Sequence, residues 1–209
     1  MELLQARDAG GEPSAAAVTA AVVALRRGDL VILPTDTVYG IAADSRDTDA
    51  IARLFAAKRR PSGKSIPLLA ASIEQASTIA DLASPLVQGL LARGWPGALT
   101  VVVRATVPMP VGVVSGNTVA VRVPDDVVVR AIAAALGRPL AVTSANRSGE
   151  AAVATFAEAV APLSDWAAVA LDGGPCPGGV ASTVVDCTGS RPVVLRQGAV
   201  DVAELSSPL

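Results

Sequence analysis

Apolar and polar positions alternate between a helical period of about 3.6 and a strand period of 2 along the whole chain. Residues 15–27 repeat apolar side chains at helical spacing, opened by Ser14 as an N-cap and closed by Gly28. Residues 30–33 are uniformly apolar and read as a buried strand. The loop Pro34-Thr35-Asp36-Thr37-Val38-Tyr39-Gly40 leaves its end, and a short apolar segment over 41–43 follows. Asp47 or Thr48 opens an amphipathic helix that turns Ile51, Leu54 and Phe55 inward and must stop before Pro61. Residues 65–71 are the next predicted strand. Ser72 with Gln75 makes a capping-box start for a helix to about residue 82, and Ser84-Pro85 starts another that stops at Gly94.

The second half continues the alternation. Strands are predicted over 99–104 and 119–123, separated by a Pro/Gly-rich connection, and a helix capped by Asp125 or Asp126 closes at Gly137. A buried strand over 140–143 leads into Ser144-Ala145-Asn146-Arg147-Ser148-Gly149. A helix near 155–163 precedes strands at 168–171, 183–187 and 192–196. No repeat, low-complexity tract or linker interrupts the pattern. Helices and strands interleave, but several late strands follow one another directly. The expected class is therefore α/β: a single domain over 1–209, with its core at about 14–200, on a twisted mixed parallel/antiparallel sheet with flanking helices.

Composition narrows the chemistry. The chain has 209 residues, 51% hydrophobic and 17% charged, with a formal charge of −2, so it can bury a large core and is too apolar for disorder. It has no His, which excludes a Ser-His-Asp triad, a Cys-His dyad and a His-ligated metal. Cys176 and Cys187 are too few for a Cys-rich zinc site or a disulfide scaffold. Residues 1–14 hold no apolar signal-peptide run, so the thiols read as reduced and the protein as cytoplasmic. The longest apolar stretch, 15–25, is too short to span a bilayer.

Of the 17 basic residues only Lys58 and Lys64 are Lys, and both lie in Lys58-Arg59-Arg60-Pro61-Ser62-Gly63-Lys64. One reading is compositional drift toward Arg plus a solvated loop; the other is two positions that need a compact ammonium. Gly63-Lys64-Ser65 resembles the end of a Walker A loop, but Lys58 stands where that motif needs Gly, and a helix rather than a strand precedes it. No Gly-x-Gly-x-x-Gly occurs, so a Rossmann site has no support. What remains is a shaped basic loop suited to polyphosphate, set against the bland reading of a solvated patch. The strand-exit loops at 34–40 and 143–149 supply hydroxyls, a carboxylate, an amide and the chain's one Tyr, either as turn chemistry or as a binding site. Arg122 interrupts an apolar strand; it pairs with Asp125 or another acid, or it holds a ligand carboxylate. Arg196 poses the same question, and Ser182-Thr183 add hydroxyls at a strand start.

Together these segments resemble the YrdC-type threonylcarbamoyl-AMP synthase family. The matching pieces are LPTDTVYGIAAD (33–44), KRRPSGKSIPLL (58–69), WPGALTVVV (95–103), VAVRVPDD (119–126), AVTSANRSG (141–149), STVVD (from 182) and VLRQGAV (to 200). The resemblance implies a concave basic cavity and synthesis of L-threonylcarbamoyl-AMP from L-threonine, bicarbonate and ATP. Pyrophosphate is released, and the product feeds tRNA t6A37 modification through downstream threonylcarbamoyl transferase proteins. It implies Lys58 and Arg60 as catalytic residues. Threonine would be bound by Thr37, Tyr39, Leu69, Arg122, Ser144 and Ser182. ATP would be bound by Lys58, Arg60, Lys64, Thr118, Asn146 and Arg196. Mg2+ would arrive with ATP, and no metal-ligating set is expected from the protein itself. The carboxy-terminal extension domain of longer members is not expected here. Nor is a membrane partner; the expected state is monomer or homodimer.

Two features depart from the family pattern: Glu150-Ala151-Ala152-Val153-Ala154 replaces a Pro-containing stretch, which bears on ATP contacts, and Ala181 before Ser182 leaves one less polar group at the strand start. Two other functions stay open on the residues alone. A basic concavity also suits double-stranded RNA, against which stand a pI of about 5.1 and few aromatic residues. A carbamoyl-transfer module shares the same domain. The Gly/Pro-rich 173–181 segment is expected to lie over the site.

Overall fold

The computed structural model describes residues 1–203. Its described strands form one eleven-stranded sheet: β1 (Glu2–Gln5), β2 (Leu30–Leu33), β3 (Gly40–Asp44), β4 (Leu68–Leu69), β5 (Leu99–Arg104), β6 (Val114–Ser115), β7 (Thr118–Arg122), β8 (Leu140–Ser144), β9 (Ala167–Asp172), β10 (Thr183–Asp186) and β11 (Val193–Arg196). The order across the sheet is β1-β9-β2-β3-β8-β4-β7-β5-β10-β11, with β6 added to β7. β1–β9, β9–β2, β4–β7 and β5–β10 pair in parallel and the other neighbours are antiparallel, so the sheet is mixed as expected.

The helices are α1 (Ala15–Arg26), α2 (Thr48–Lys58), α3 (Ile73–Ser77), α4 (Pro85–Gly94), α5 (Val127–Leu136) and α6 (Phe156–Val160). Ser14 caps α1, Asp47 caps α2, Ser72 caps α3, Ser84 caps α4 and Asp126 caps α5, each through a side-chain oxygen that accepts a first-turn N–H. α5 ends at Gly137 in the left-handed conformation, the position where Cβ is costly. The sheet is covered on both faces. Leu30 and Ile32 join α2 and α4 in one core, whereas Val31 and Leu33 join α1 and α5 in the other. That period-2 split explains why β2 is apolar at every position.

Several boundaries differ from the sequence reading. β4 is two residues long because Pro67 has no N–H to donate, and Ile66 turns away to bond Gly112. α3 stops at Ser77, since Ala80 bridges Ala105 and Asp81 donates to Arg104. α6 is a short turn whose Glu158 carboxylate accepts from the Thr155 N–H and hydroxyl. β1 and β6 were not anticipated: β1 is largely exposed and β6 has two residues, so neither carries an apolar period. Cys176 and Cys187 are free and buried. Among the described residues no helix is long and apolar enough to cross a membrane.

Candidate functional site

A cavity of about 150 Å³ gathers segments far apart in the chain. Its wall combines the loop after β2, Leu69 of β4, Thr100 of β5, Arg122 of β7, Thr143 and Ser144 of β8, Ala181 and Ser182 ahead of β10, Arg196 of β11, and Arg60 beyond α2. The 34–39 loop is held by Thr35. Its hydroxyl accepts from the N–H groups of Thr37 (3.0 Å) and Val38 (3.2 Å) and lies 2.7 Å from the Val38 carbonyl. Thr37 is thereby presented with its hydroxyl buried beside Arg122.

Arg122 is only 4% exposed, and its guanidinium is fully oriented. Nε donates to the Gly97 carbonyl (2.7 Å), Nη1 to the Thr37 hydroxyl (3.1 Å) and Nη2 to the Asp36 carboxylate. Its acid partner is thus Asp36, not Asp125, because the PTDT turn folds back over the end of β7. Burial pulls the Arg122 pKa below the usual guanidinium range, and Asp36 opposes that shift. A guanidinium has five N–H groups, so two remain for a ligand.

Arg60 and Arg196 carry the rest of the positive charge. Arg60 is fixed by donating to the carbonyls of Lys64 (2.8 Å) and Ser65 (2.7 Å). Arg196 donates to the Ser182 carbonyl (2.7 Å from Nη2) and hydroxyl (3.1 Å), and that hydroxyl lies 2.8 Å from Thr100 Oγ1. Burial lowers both pKa values, and the Arg196 charge lowers that of Arg60 further, so the two cations feel each other. Close packing keeps Arg196 here: a Cβ on Gly198 would sit 2.2 Å from the Ala181 carbonyl oxygen and 2.5 Å from the Ser182 carbonyl carbon. Gly198→Ala is therefore expected to push β11 off Ser182 at a cost of about 2 kcal/mol. A thermal melt should read this as a drop of about 4–8 °C in Tm; an unchanged melt would contradict it.

Of the twelve residues singled out from the sequence, eight line the cavity: Thr37, Tyr39, Arg60, Leu69, Arg122, Ser144, Ser182 and Arg196. Four do not. Lys58 is 1% exposed, and its ammonium is spent on the carbonyls of Ser144 and Asn146 and on Asn146 Oδ1 (3.2 Å). Burial, with the Arg60 charge second, pushes its pKa down to about 8. Asn146 is locked in the same network, its amide donating to the carbonyls of Arg147 (2.9 Å) and Glu150 (2.7 Å). Lys64 is exposed on the loop. Thr118 shares a strand face with Arg122 at the other end of β7, about 13 Å away, and its hydroxyl serves the Ser115 carbonyl (2.8 Å). Tyr39 is buried, its phenol donating to Gly174 (2.7 Å) and accepting from Gly173 (3.1 Å), and burial raises its pKa to about 12. The 173–181 segment lies beside the site, with Gly178 against the Asp36–Thr37 backbone. Among the described residues no group of three or more His, Cys, Asp or Glu converges.

The family model that carries the names Sua5, YciO and YrdC, described as "Telomere recombination", matches residues 23–198. The chain belongs to the Sua5/YciO/YrdC family. A Bacillus subtilis protein named threonylcarbamoyl-AMP synthase is 36% identical over 193 residues, covering 91% of this chain and 56% of its own length. A Vibrio cholerae protein of the same name is 40% identical over 158 residues, covering 73% of this chain and 83% of its own. The crystal structure of Pyrococcus abyssi Sua5 complexed with L-threonine superposes with a TM-score of 0.91 at 32% identity, covering 98% of this chain and 60% of that one. The chain thus spans little more than half of two of these relatives.

For this Sua5/YciO/YrdC chain, sequence reasoning missed Thr100 and the pairing role of Asp36, and it held Thr143 only as one hydroxyl of the 143–149 loop. Thr100 left a signal, as one hydroxyl in the apolar run Leu99-Thr100-Val101, and it is 1% exposed. Asp36 left none, because its partner lies 86 residues away.

Proposed function

We propose that this chain condenses L-threonine, bicarbonate and ATP into threonylcarbamoyl-AMP and pyrophosphate, in the cytoplasm. The product would serve tRNA modification through downstream transferase proteins. The observation that carries the reading is the buried, three-point-anchored Arg122, with two free N–H groups, facing a cavity whose other cations are Arg60 and Arg196. One guanidinium suits the threonine carboxylate, and the other two suit a polyphosphate.

The chemistry needs no protein nucleophile. The threonine amine adds to the carbon of carbon dioxide, released from bicarbonate with loss of water, and gives up a proton to form a carbamate. A carbamate oxygen then bonds to the α-phosphorus as the bond from that phosphorus to pyrophosphate breaks. The site supplies orientation and charge neutralisation. In this reading Arg122 and Thr37 hold the amino acid, with Ser144, Ser182 and the Leu69 backbone around it. Arg60 and Arg196 neutralise the departing pyrophosphate, with Lys64 and Thr118 reaching the nucleotide from outside the cavity. Tyr39 is a wall. Lys58 and Asn146 act as positioning residues beneath Ser144. Mg2+ would arrive as part of the nucleotide substrate, and among the described residues that line the cavity none is a carboxylate.

The test is pyrophosphate release from MgATP and bicarbonate, with and without L-threonine, the product identified by mass. Threonine-dependent release with a threonylcarbamoyl-adenylate mass is expected. Threonine-independent release, or none from a folded chain that binds ATP, overturns the reading. Salt-sensitive binding to double-stranded RNA would then become the leading alternative.

A further inference from the structure

Three arginines, Arg60, Arg122 and Arg196, line one cavity, and of these three only Arg122 is ion-paired to an acid among the described residues. The other two are held by neutral oxygens alone, the Lys64 and Ser65 carbonyls and the Ser182 carbonyl and hydroxyl, so each keeps its whole charge. A site that takes a monoanionic amino acid and a polyanionic nucleotide faces a sorting problem. Polyphosphate is drawn to any guanidinium, and drawn most strongly where net positive charge is greatest.

We propose that Asp36 sorts the two anions, reserving Arg122 for a single carboxylate and leaving polyphosphate to Arg60 and Arg196. The inference rests on the synthase reading and adds a specificity-determining residue to it. A full negative charge one hydrogen bond from Arg122 cancels most of that guanidinium's attraction at a distance, yet leaves two of its N–H groups in place. A carboxylate is recognised by those directional donors. A triphosphate depends more on net charge and would carry several negative charges up to Asp36, a like-charge penalty that discriminates against it. The side chains of Arg122 and Asp36 are only 5% and 11% exposed, so water and salt screen this pair weakly. The backbone that carries Asp36 is fixed: Gly178 packs where a Cβ would lie 2.7 Å from the Asp36 carbonyl oxygen, and the Thr35 hydroxyl ties down the following N–H groups.

The experiment measures L-threonine binding by calorimetry with and without saturating tripolyphosphate, in the native chain and in Asp36→Asn. The amide keeps an oxygen for Arg122 and removes the charge. In the native chain tripolyphosphate is expected to leave the threonine Kd within about twofold. In Asp36→Asn it is expected to raise that Kd at least tenfold, competitively. Displacement of threonine from the native chain overturns the proposal, as does a folded Asp36→Asn chain in which the two ligands stay independent. Asp36→Ser, read the same way, serves if the amide variant does not fold. A native chain that fails to bind threonine at all defeats the synthase reading instead.

Discussion

Arg122→Met is expected to cut threonine-dependent pyrophosphate release steeply and to destabilise the fold in the same step. Losing one partner of a buried, hydrogen-bonded charge pair costs about 2–5 kcal/mol in ligand binding, which is roughly a 30- to 5,000-fold loss of kcat/KM for threonine. The loss should fall on threonine and spare the KM of ATP, because Arg60 and Arg196 keep their own carbonyl anchors. The stability loss has a separate origin. Asp36, 11% exposed, is left without its cation, and an unpaired buried charge costs about 3 kcal/mol. Chemical denaturation of Arg122→Met and of the double variant Arg122→Met/Asp36→Asn separates the two effects. The double variant should regain most of the stability and none of the activity. Arg122→Lys should recover under a tenth of the activity, since one ammonium cannot meet Gly97, Thr37 and Asp36 in the plane that the guanidinium spans. Full activity in Arg122→Met would remove Arg122 from the site.

What the sequence made legible follows from the range of the forces involved. Caps are local, so Ser14, Asp47, Ser72, Ser84 and Gly137 mark helix ends within a residue of where they fall. Period-2 burial is nearly local, so β2, β5 and β8 were readable, whereas the short, mostly exposed β1 offers no apolar period and is held in the sheet by pairing with β9. The site was legible as residue types that are expensive to place without a reason. An Arg in an apolar strand and the chain's only two Lys in one seven-residue run are such cases. Which partner each residue takes was not legible. Lys58 reads as a phosphate ligand in a basic run, yet Arg59 closes α2 in the left-handed conformation, and the chain reverses there. Lys58 is left facing the Ser144–Asn146 loop while Arg60 reaches the cavity. A residue-by-residue motif does not encode that reversal.

Lys58→Met should therefore damage the site by loosening its floor. The ammonium serves the Ser144 and Asn146 carbonyls and Asn146 Oδ1 inside the protein, and methionine fills the volume but donates nothing. Each buried acceptor left unmet costs about 1–3 kcal/mol, partly offset by the apolar side chain, so a net loss of about 3 kcal/mol is expected. Proton linkage gives this residue a signature that simple destabilisation lacks. Its pKa is about 8 in the folded chain and about 10.4 when unfolded. Between those values the unfolded chain binds the proton that the folded chain has released, so this group makes stability rise with pH. Activity should move the other way. The neutral amine has one N–H fewer and no charge, its grip on the carbonyls weakens, and kcat/KM should fall with a midpoint near pH 8. In Lys58→Met that alkaline limb should vanish from an already low profile. Lys58→Arg should also lose the limb, since guanidinium stays charged, but keep under a tenth of the native rate because a planar fork cannot converge on one point between two carbonyls. An unaltered limb in both variants would assign the titration to another group, and full activity in Lys58→Arg would show that charge alone, not a compact ammonium, is what the loop requires.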